Sequence, residues 1–351
     1  MKKKILVTGG LGFIGSHVVV ELQNEGFEVV IIDNLSNSTI EVLEGITAIT
    51  GIEPIFEKKE LRDKSLVVDF FKRHHDINGV IHFAASKAVG ESVEKPLLYY
   101  ENNLSPLIYL LQELQKKEAA NFIFSSSCTV YGQADSLPIT ESAPIKKAES
   151  PYGNTKQIGE EIIIDTCKVV PQLNAIALRY FNPIGAHESI KIGELPLGTP
   201  QNLVPFITQT GMGKRAQLSV FGDDYPTDDG TCVRDYIHVV DLAKAHVMAL
   251  TRLINNSNKE NFEVFNIGTG KGSSVLEVIH TFEEVSGKKL NYKIVGRREG
   301  DVISAYADTH KANTVLEWKA KLNLKDALLS AWKWENLHVR KLNPVVFFVN
   351  S

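Results

Sequence analysis

Cysteine is scarce in this chain: Cys128, Cys167 and Cys232 are the three among 351 residues. They are odd in number and far apart, so neither a disulfide framework nor a zinc ligand set can be built from them. No metal is expected, and a reducing cytoplasm is the expected setting. Long hydrophobic runs are missing too. No stretch approaches the ~20 apolar residues that span a bilayer. In the opening "MKKKILVTGG" the apolar run stops at Val7, too short for the core of a signal peptide. A membrane is therefore not an expected partner. Charge of one sign is nowhere concentrated: 38 Lys and Arg are dispersed among 42 Asp and Glu, for a formal net charge of -4. Binding to a phosphate backbone calls for a basic stripe, so nucleic acid is not expected either. The sequence also lacks internal repeats and low-complexity segments. What it does have is 43% hydrophobic residues, enough for a sizeable core in one large domain or two packed ones.

The first half alternates strand and helix signals. "KILV" reads as a buried parallel strand. "FIGSHVVVELQNEG" follows with Ile14, Val18, Val19 and Leu22 at helical spacing and Gly26 placed to end the helix. "EVVIID" is the next strand, and "GVIHFAA" and "NFIFSSS" are apolar runs that end in small or hydroxyl residues, as strands do where they deliver groups to a site. The expected fold class is α/β, a Rossmann-like doubly wound parallel sheet. "PLLYYENNLSPLIYLLQELQKKE" predicts a long apolar helix or helix pair. After Arg179 the alternation weakens into loops rich in Gly, Pro and Asn, which predicts a nucleotide-binding domain over residues 1–180 and a smaller, mainly substrate-binding domain over 181–351. The closing "NPVVFFVNS" is apolar enough for a docked strand and carries no functional reading.

The first chemical motif is "TGGLGFIG", with Gly9, Gly12 and Gly15 between strand and helix. Glycines there let the backbone turn sharply and approach a pyrophosphate, whose charge then rests on the helix N-terminus. Asp33 ends the next strand, eighteen positions after Gly15, where a carboxylate can take both ribose hydroxyls. It would repel a 2'-phosphate, and the following "NLSN" has no arginine to compensate, so NAD is expected rather than NADP.

The second motif is "SPYGNTK", in which Tyr152 and Lys156 stand four apart on a predicted helix and share a face. A tyrosine with a pKa of about 10 is a poor base at neutral pH. A nearby ammonium favours the phenolate, which is what a proton-transferring tyrosine requires. Ser127, in "SSSCTVYG" at the end of the strand "NFIF", is the expected hydroxyl partner. Cys128 beside it reads as a small buried filler rather than a redox or metal residue.

Taken with "HFAASKAVGES", "RYFNPIGAH", "NLVPFI", "FGDDYPTDDGTCVRDYIHVVDLA", "FNIGTG" and "REGDVISAYAD", these motifs resemble the extended short-chain dehydrogenase/reductase superfamily. Within it they are most similar to the family of UDP-galactose 4-epimerases, over nearly all the chain to about Trp318. The resemblance implies an NAD-dependent 4-epimerase that works through a 4-keto sugar and returns the same hydride. Substrates would be UDP-glucose and UDP-galactose and, with a small residue at Ala305, the N-acetylated UDP-hexosamines. It implies catalytic roles for Ser127, Tyr152 and Lys156. Gly9, Gly12, Phe13, Ile14, Gly15, Asp33, Asn34, Glu60, Leu61, Phe83, Ala84, Lys87 and Phe181 would line NAD, together with Tyr152 and Lys156. Asn182, Asn202, Leu203, Arg234, Arg298, Asp301 and Ala305 would hold the UDP-sugar with Ser127. Phe221 is either a uracil neighbour or core. Glu60 stands where the family usually has Asp. The segment near 236–268 would return to the NAD domain, and the long helices would pair in a homodimer.

Two other readings remain. In the related nucleotide-sugar 4,6-dehydratases an acid pair follows the active-site hydroxyl, and Cys128 and Thr129 stand in that place here, so elimination lacks its acid and base. A non-catalytic NAD-binding regulator would commonly lack the Tyr or the hydroxyl partner, and this chain has both.

Overall fold

A computed structural model describes residues 2–298 and 300–342, so the apolar tail at 343–351 lies outside the described residues. Strand and helix alternate at first: β1 (Lys4–Thr8), α1 (Phe13–Asn24), β2 (Glu28–Asp33), α2 (Glu41–Thr50), β3 (Ile55–Lys58), α3 (Lys64–Arg73) and β4 (Ile77–His82). Two helices then run in succession, α4 (Val89–Glu94) and α5 (Pro96–Leu114), before β5 (Ala120–Ser127), α6 (Pro151–Val169) and β6 (Leu173–Tyr180). The rest comprises β7 (Asn182–Ile184), α7 (Leu203–Gly211), β8 (Leu218–Phe221), β9 (Val233–His238), α8 (Val239–Ile254), β10 (Phe262–Ile267) and β11 (Gly272–Ser274). It ends with α9 (Val275–Ser286), β12 (Tyr292–Val295), β13 (Ser304–Ala305), α10 (His310–Thr314) and α11 (Leu324–Leu342).

Seven strands form one parallel sheet in the order β10-β6-β5-β4-β1-β2-β3. The strands read as continuous apolar runs because helices cover both faces. On one face α1 and α8 enclose Val18, Val19, Leu22, Leu242 and Leu250; on the other α3, α5 and α6 enclose Phe70, Leu107, Leu110 and Ile163. Strand order reverses between β1 and β4, and a ligand crevice forms at the strand ends beside such a switch. Helix α1 ends as its sequence predicts. Gly26 takes a φ of +84°, and Phe27 N–H reaches back to Leu22 O at 3.0 Å.

The second layer of structure is small. Strand β9 pairs with β7 and β13 in parallel and with β11 in antiparallel, while β8 and β12 make a separate pair. Ile207, Phe282, Leu328 and Trp332 gather α7, α9 and α11 into its core. The chain does not stay there. Strand β10 completes the large sheet beside β6, α8 packs beside α1, and Trp318 donates its indole N–H to Asp241 O at 3.1 Å. Residues 312–318 are therefore packed with the large sheet, late in a stretch whose sequence predicted mainly substrate domain.

Candidate active site

The turn after β1 is built for close backbone approach. Gly9 has a φ of +68°, and a Cβ there would meet Ala84 N at 2.9 Å. A Cβ on Gly15 would lie 2.2 Å from Gly9 O. Helix α1 starts at Phe13 with Gly12 as its N-cap, and no side chain caps it or places an acid in its first turn. The amides of Phe13 and Ile14 stand in that first turn, so the site suits a diphosphate. Phe83 and Ala84, at the end of β4, lie against this turn, with Phe83 N–H donating to Thr8 O at 3.0 Å.

Asp33 is buried at the end of β2, and its carboxylate is already held. One oxygen accepts from Leu11 N at 3.2 Å; the other accepts from Leu35 N and Ser38 Oγ, each at 2.9 Å. Next to it Asn34 Nδ2 donates to Glu60 Oε2 at 3.1 Å. Arg62 and Asn34 together hold the Glu60 carboxyl down to about 2, so it is ionised at any physiological pH. Leu61 is buried under β2. These groups fit the adenosine end of a dinucleotide, and an acid rather than a base at Asp33 fits NAD.

Ser127, Tyr152 and Lys156 come together where β5 ends against α6. Ser150 caps α6 by accepting from Gly153 N at 3.2 Å, and Pro151 occupies the first turn, so Tyr152 and Lys156 emerge one turn apart on the sheet-facing side. Lys156 Nζ donates to Ser125 O at 2.7 Å and lies 5.0 Å from the Phe124 ring centre and 5.8 Å from that of Tyr152. Burial pushes the ammonium down to about 8, with Glu160 working the other way. Burial also pushes the Tyr152 phenol far above its usual range, helped by Tyr180; hydrogen bonding to Ser127 opposes this. The sequence predicted a phenol lowered by its lysine. In the protein alone that expectation fails, because Lys156 faces the ring and a main-chain oxygen while desolvation acts on the hydroxyl itself.

Cys128 begins the single 3-10 turn that follows Ser127, and burial pushes its thiol up to about 11, which leaves it neutral. Among the described residues no cluster of His, Cys, Asp or Glu could hold a metal ion.

The other wall of the crevice comes from the smaller layer. Arg298 holds Asp301 with two bonds of 2.7 and 3.2 Å, Arg234 lies 3.8 Å from the same carboxylate, and Arg298 covers the Phe221 ring at 5.6 Å. Phe221 is 41% exposed, so its reading as core is corrected: it ends β8 at the surface, where the arginine plane covers it. Ala305 sits on β13 opposite Arg234 of β9. It is buried with Val130, Tyr131 and Phe181, and Cys128 packs against the same cluster. Asn182 opens β7, while Asn202 and Leu203 begin α7.

Glu194 was missed by sequence reasoning. Its Oε1 accepts from Asn202 Nδ2 at 2.8 Å and lies 3.4 Å from Lys87 Nζ, so one carboxylate joins a residue predicted for NAD to one predicted for the sugar. Nothing local in "KIGELPLG" marks it; the contact spans 107 residues. Glu160 was missed as well, although its position four residues after Lys156 was a usable signal.

A glycine turn on a parallel sheet, an acid at the second strand and a Ser-Tyr-Lys set facing a small mixed layer define the extended short-chain dehydrogenase/reductase class. The family model described as GDP-mannose 4,6 dehydratase matches residues 6–330. The UDP-glucose 4-epimerase of Haemophilus influenzae is 49% identical over 331 residues, which is 94% of this chain and 97% of its own. The UDP-glucose 4-epimerase of Stenotrophomonas maltophila, solved with bound NAD and formylated UDP-arabinopyranose, superposes with a TM-score of 0.92. It is 46% identical and covers 97% of this chain and 99% of its own. That of Bifidobacterium longum, solved with NAD+ and UDP, gives 0.91 at 45% identity over 98% of this chain and all of its own. The chain belongs to the UDP-glucose 4-epimerase family.

Proposed function

We propose that this protein is an NAD-dependent isomerase that interconverts UDP-glucose and UDP-galactose, and also their 2-acetamido counterparts. The observation that carries the reading is the joint placement of Ser127, Tyr152 and Lys156 where β5 ends against α6, with Arg234 of the Arg234–Asp301–Arg298 cluster near enough to the adjoining Cys128 to bear on its thiol. Bound NAD would supply the acceptor for the C4 hydride and give the same hydride back. Tyr152, ionised once the positive nicotinamide of bound NAD lies beside it together with Lys156, would take the proton of the 4-hydroxyl and later return it. Ser127 hydrogen-bonds the same oxygen, and Lys156 keeps positive charge under the phenol. Arg234 and Arg298 suit a diphosphate because planar guanidinium forks bond two oxygens at once. Turning the 4-keto sugar about its phosphate linkage exposes the other face, so the alcohol is rebuilt with inverted configuration.

Elimination needs an acid and a base beyond Ser127, and Cys128 and Thr129 supply neither. The experiment is incubation of the purified protein with UDP-galactose and no added cofactor. UDP-glucose is the expected product. A 4-keto-6-deoxy sugar would mean a dehydratase, and no turnover would support the regulator. The same preparation is expected to carry NAD(H), since Asp33 repels a 2'-phosphate; recovery of NADP(H) alone on extraction would overturn the cofactor assignment.

The expected partner is a second copy of the chain. Helix α5 buries Leu107, Leu110 and Leu111 yet leaves Leu97 81% exposed, with Leu98 and Ile108 also exposed, and on the preceding α4 Val89 and Val93 are exposed too. That much exposed apolar side chain on two successive helices is what pairing across a two-fold axis would cover. A native mass at micromolar concentration is expected to be twice that of the chain, and a monomer would refute it. Among the described residues no helix is long and apolar enough to cross a membrane, and the proposed setting is the cytoplasm.

A further inference from the structure

Beneath the catalytic residues lies a buried polar chain that the reaction as described does not use. Glu160 and Arg179 are both buried. Arg179 holds both oxygens of the Glu160 carboxylate, with Nε at 2.9 and 3.2 Å and a terminal nitrogen at 2.5 Å, while Ser126 Oγ donates to Oε1 at 2.5 Å. The other terminal nitrogen of Arg179 donates to Tyr131 OH at 3.0 Å, and Tyr131 OH donates to Asn266 Oδ1 at 2.6 Å. Asn266 Nδ2 ends the chain on Ile139 O at 2.8 Å. Residues on α6, β5, β6 and β10 are thus fixed relative to one another.

A buried ion pair is weak evidence for stability, because desolvation offsets most of its attraction. Its position is more telling. Glu160 follows Lys156 by one helical turn on the same face. We propose that Glu160 is a positioning residue for Lys156: pinned by Arg179 and Ser126, its carboxylate keeps the buried ammonium charged and aimed at Tyr152. The inference rests on the role given to Lys156 above.

The surroundings leave Glu160 as the anion for this task. On its own helix Lys156 faces Tyr152, which burial keeps neutral. From β5 it meets Ser125 O and the Phe124 ring. His82 of β4 is held down to about 3 by burial and by the lysine charge, so it is neutral and adds no anion. From β6, Tyr180 is spent on Ser125 Oγ at 2.5 Å, and Arg179 is turned to Glu160. Tyr99 of α5 donates to Glu91 of α4 at 3.0 Å and is itself neutral. Cys128 is a neutral thiol. Burial lowers the ammonium and the Glu160 charge raises it, so removing the carboxylate lets desolvation win.

The test is the pH profile of turnover for Glu160→Gln, with the holoenzyme and saturating UDP-galactose. The glutamine retains the shape and loses the charge. The alkaline fall in kcat is expected to move to lower pH by about half a unit to one unit, a three- to tenfold change in proton affinity. Should the lone guanidinium prevent folding, Glu160→Gln combined with Arg179→Met removes it, and a smaller movement in the same direction is expected, because the cation that opposes the carboxylate's effect on Lys156 leaves with it; an unmoved profile in the double variant would overturn the proposal. A lower kcat with an unmoved profile would make Glu160 purely structural and overturn the proposal, as would wild-type behaviour. Lys156→Met serves as the control. If it stays active, the role of Lys156 falls; if it is dead and Glu160→Gln shifts nothing, only the proposal about Glu160 falls.

Discussion

Tyr152→Phe is expected to lose on the order of 10²- to 10⁴-fold in kcat while binding NAD and UDP-sugar as before, because one oxygen and no packing is removed. The ring is buried between α6 and the end of β5, and phenylalanine fills the same space. Ser127 keeps its bond from Thr129 N, and Lys156 keeps its bond to Ser125 O, so the rest of the site holds its shape. What disappears is the group proposed to take the 4-hydroxyl proton. Titration of cofactor and UDP checks binding, and single-turnover assays check chemistry. Near-normal turnover would remove Tyr152 from the mechanism.

A second large effect is expected at Ala305. It is 7% exposed and packs with Val130 and Phe181 beside Cys128, the residue after Ser127. Strand geometry sends its neighbour the other way: the Tyr306 ring lies against Gly272 of β11, so it does not fill the space beside Ala305. A 2-acetamido group must fit in both orientations of the turning ketone. Overfilling a packed site costs about 1–3 kcal/mol, or roughly 10–100-fold in rate. Ala305→Tyr is therefore expected to suppress interconversion of UDP-N-acetylglucosamine and UDP-N-acetylgalactosamine by that factor and to spare the simple hexoses. Hexose turnover doubles as the check that the variant folds. Wild-type protein inert toward UDP-N-acetylglucosamine, or a tyrosine variant active on both pairs, would show that this position is not the gate.

The features legible in the sequence are those whose physics is local. Gly9, Gly12 and Gly15 are demanded by a turn within eight residues, Asp33 by the end of one apolar strand, and Tyr152 with Lys156 by a single helical turn. Tertiary properties were not legible. Strand β3, "IFEK", is short and exposed at both ends, so no apolar run marks it. Phe221 follows an apolar run and reads as core, yet among the described residues its strand pairs with β12 alone and leaves the ring under Arg298. The protonation of Tyr152 follows from how deeply it is enclosed, and spacing from a lysine carries no information about depth. Glu194 acts through partners at Lys87 and Asn202, the first of them 107 residues away in sequence.

The place of β10 bears on how the chain is made. This edge strand of the large sheet is 82 residues beyond the end of β6, counting from Tyr180 to Phe262, and Trp318 closes over α8 later still. A ribosome adding about 5–20 residues per second exposes the β6 edge for several seconds before its partner emerges. During that interval the hydrogen-bonding edge of Leu173–Tyr180 is open to wrong partners. The nascent chain thus cannot complete its large sheet before β7, α7, β8 and β9 of the smaller layer have been synthesised, and a stop near residue 180 would leave an unfinished sheet rather than a smaller protein.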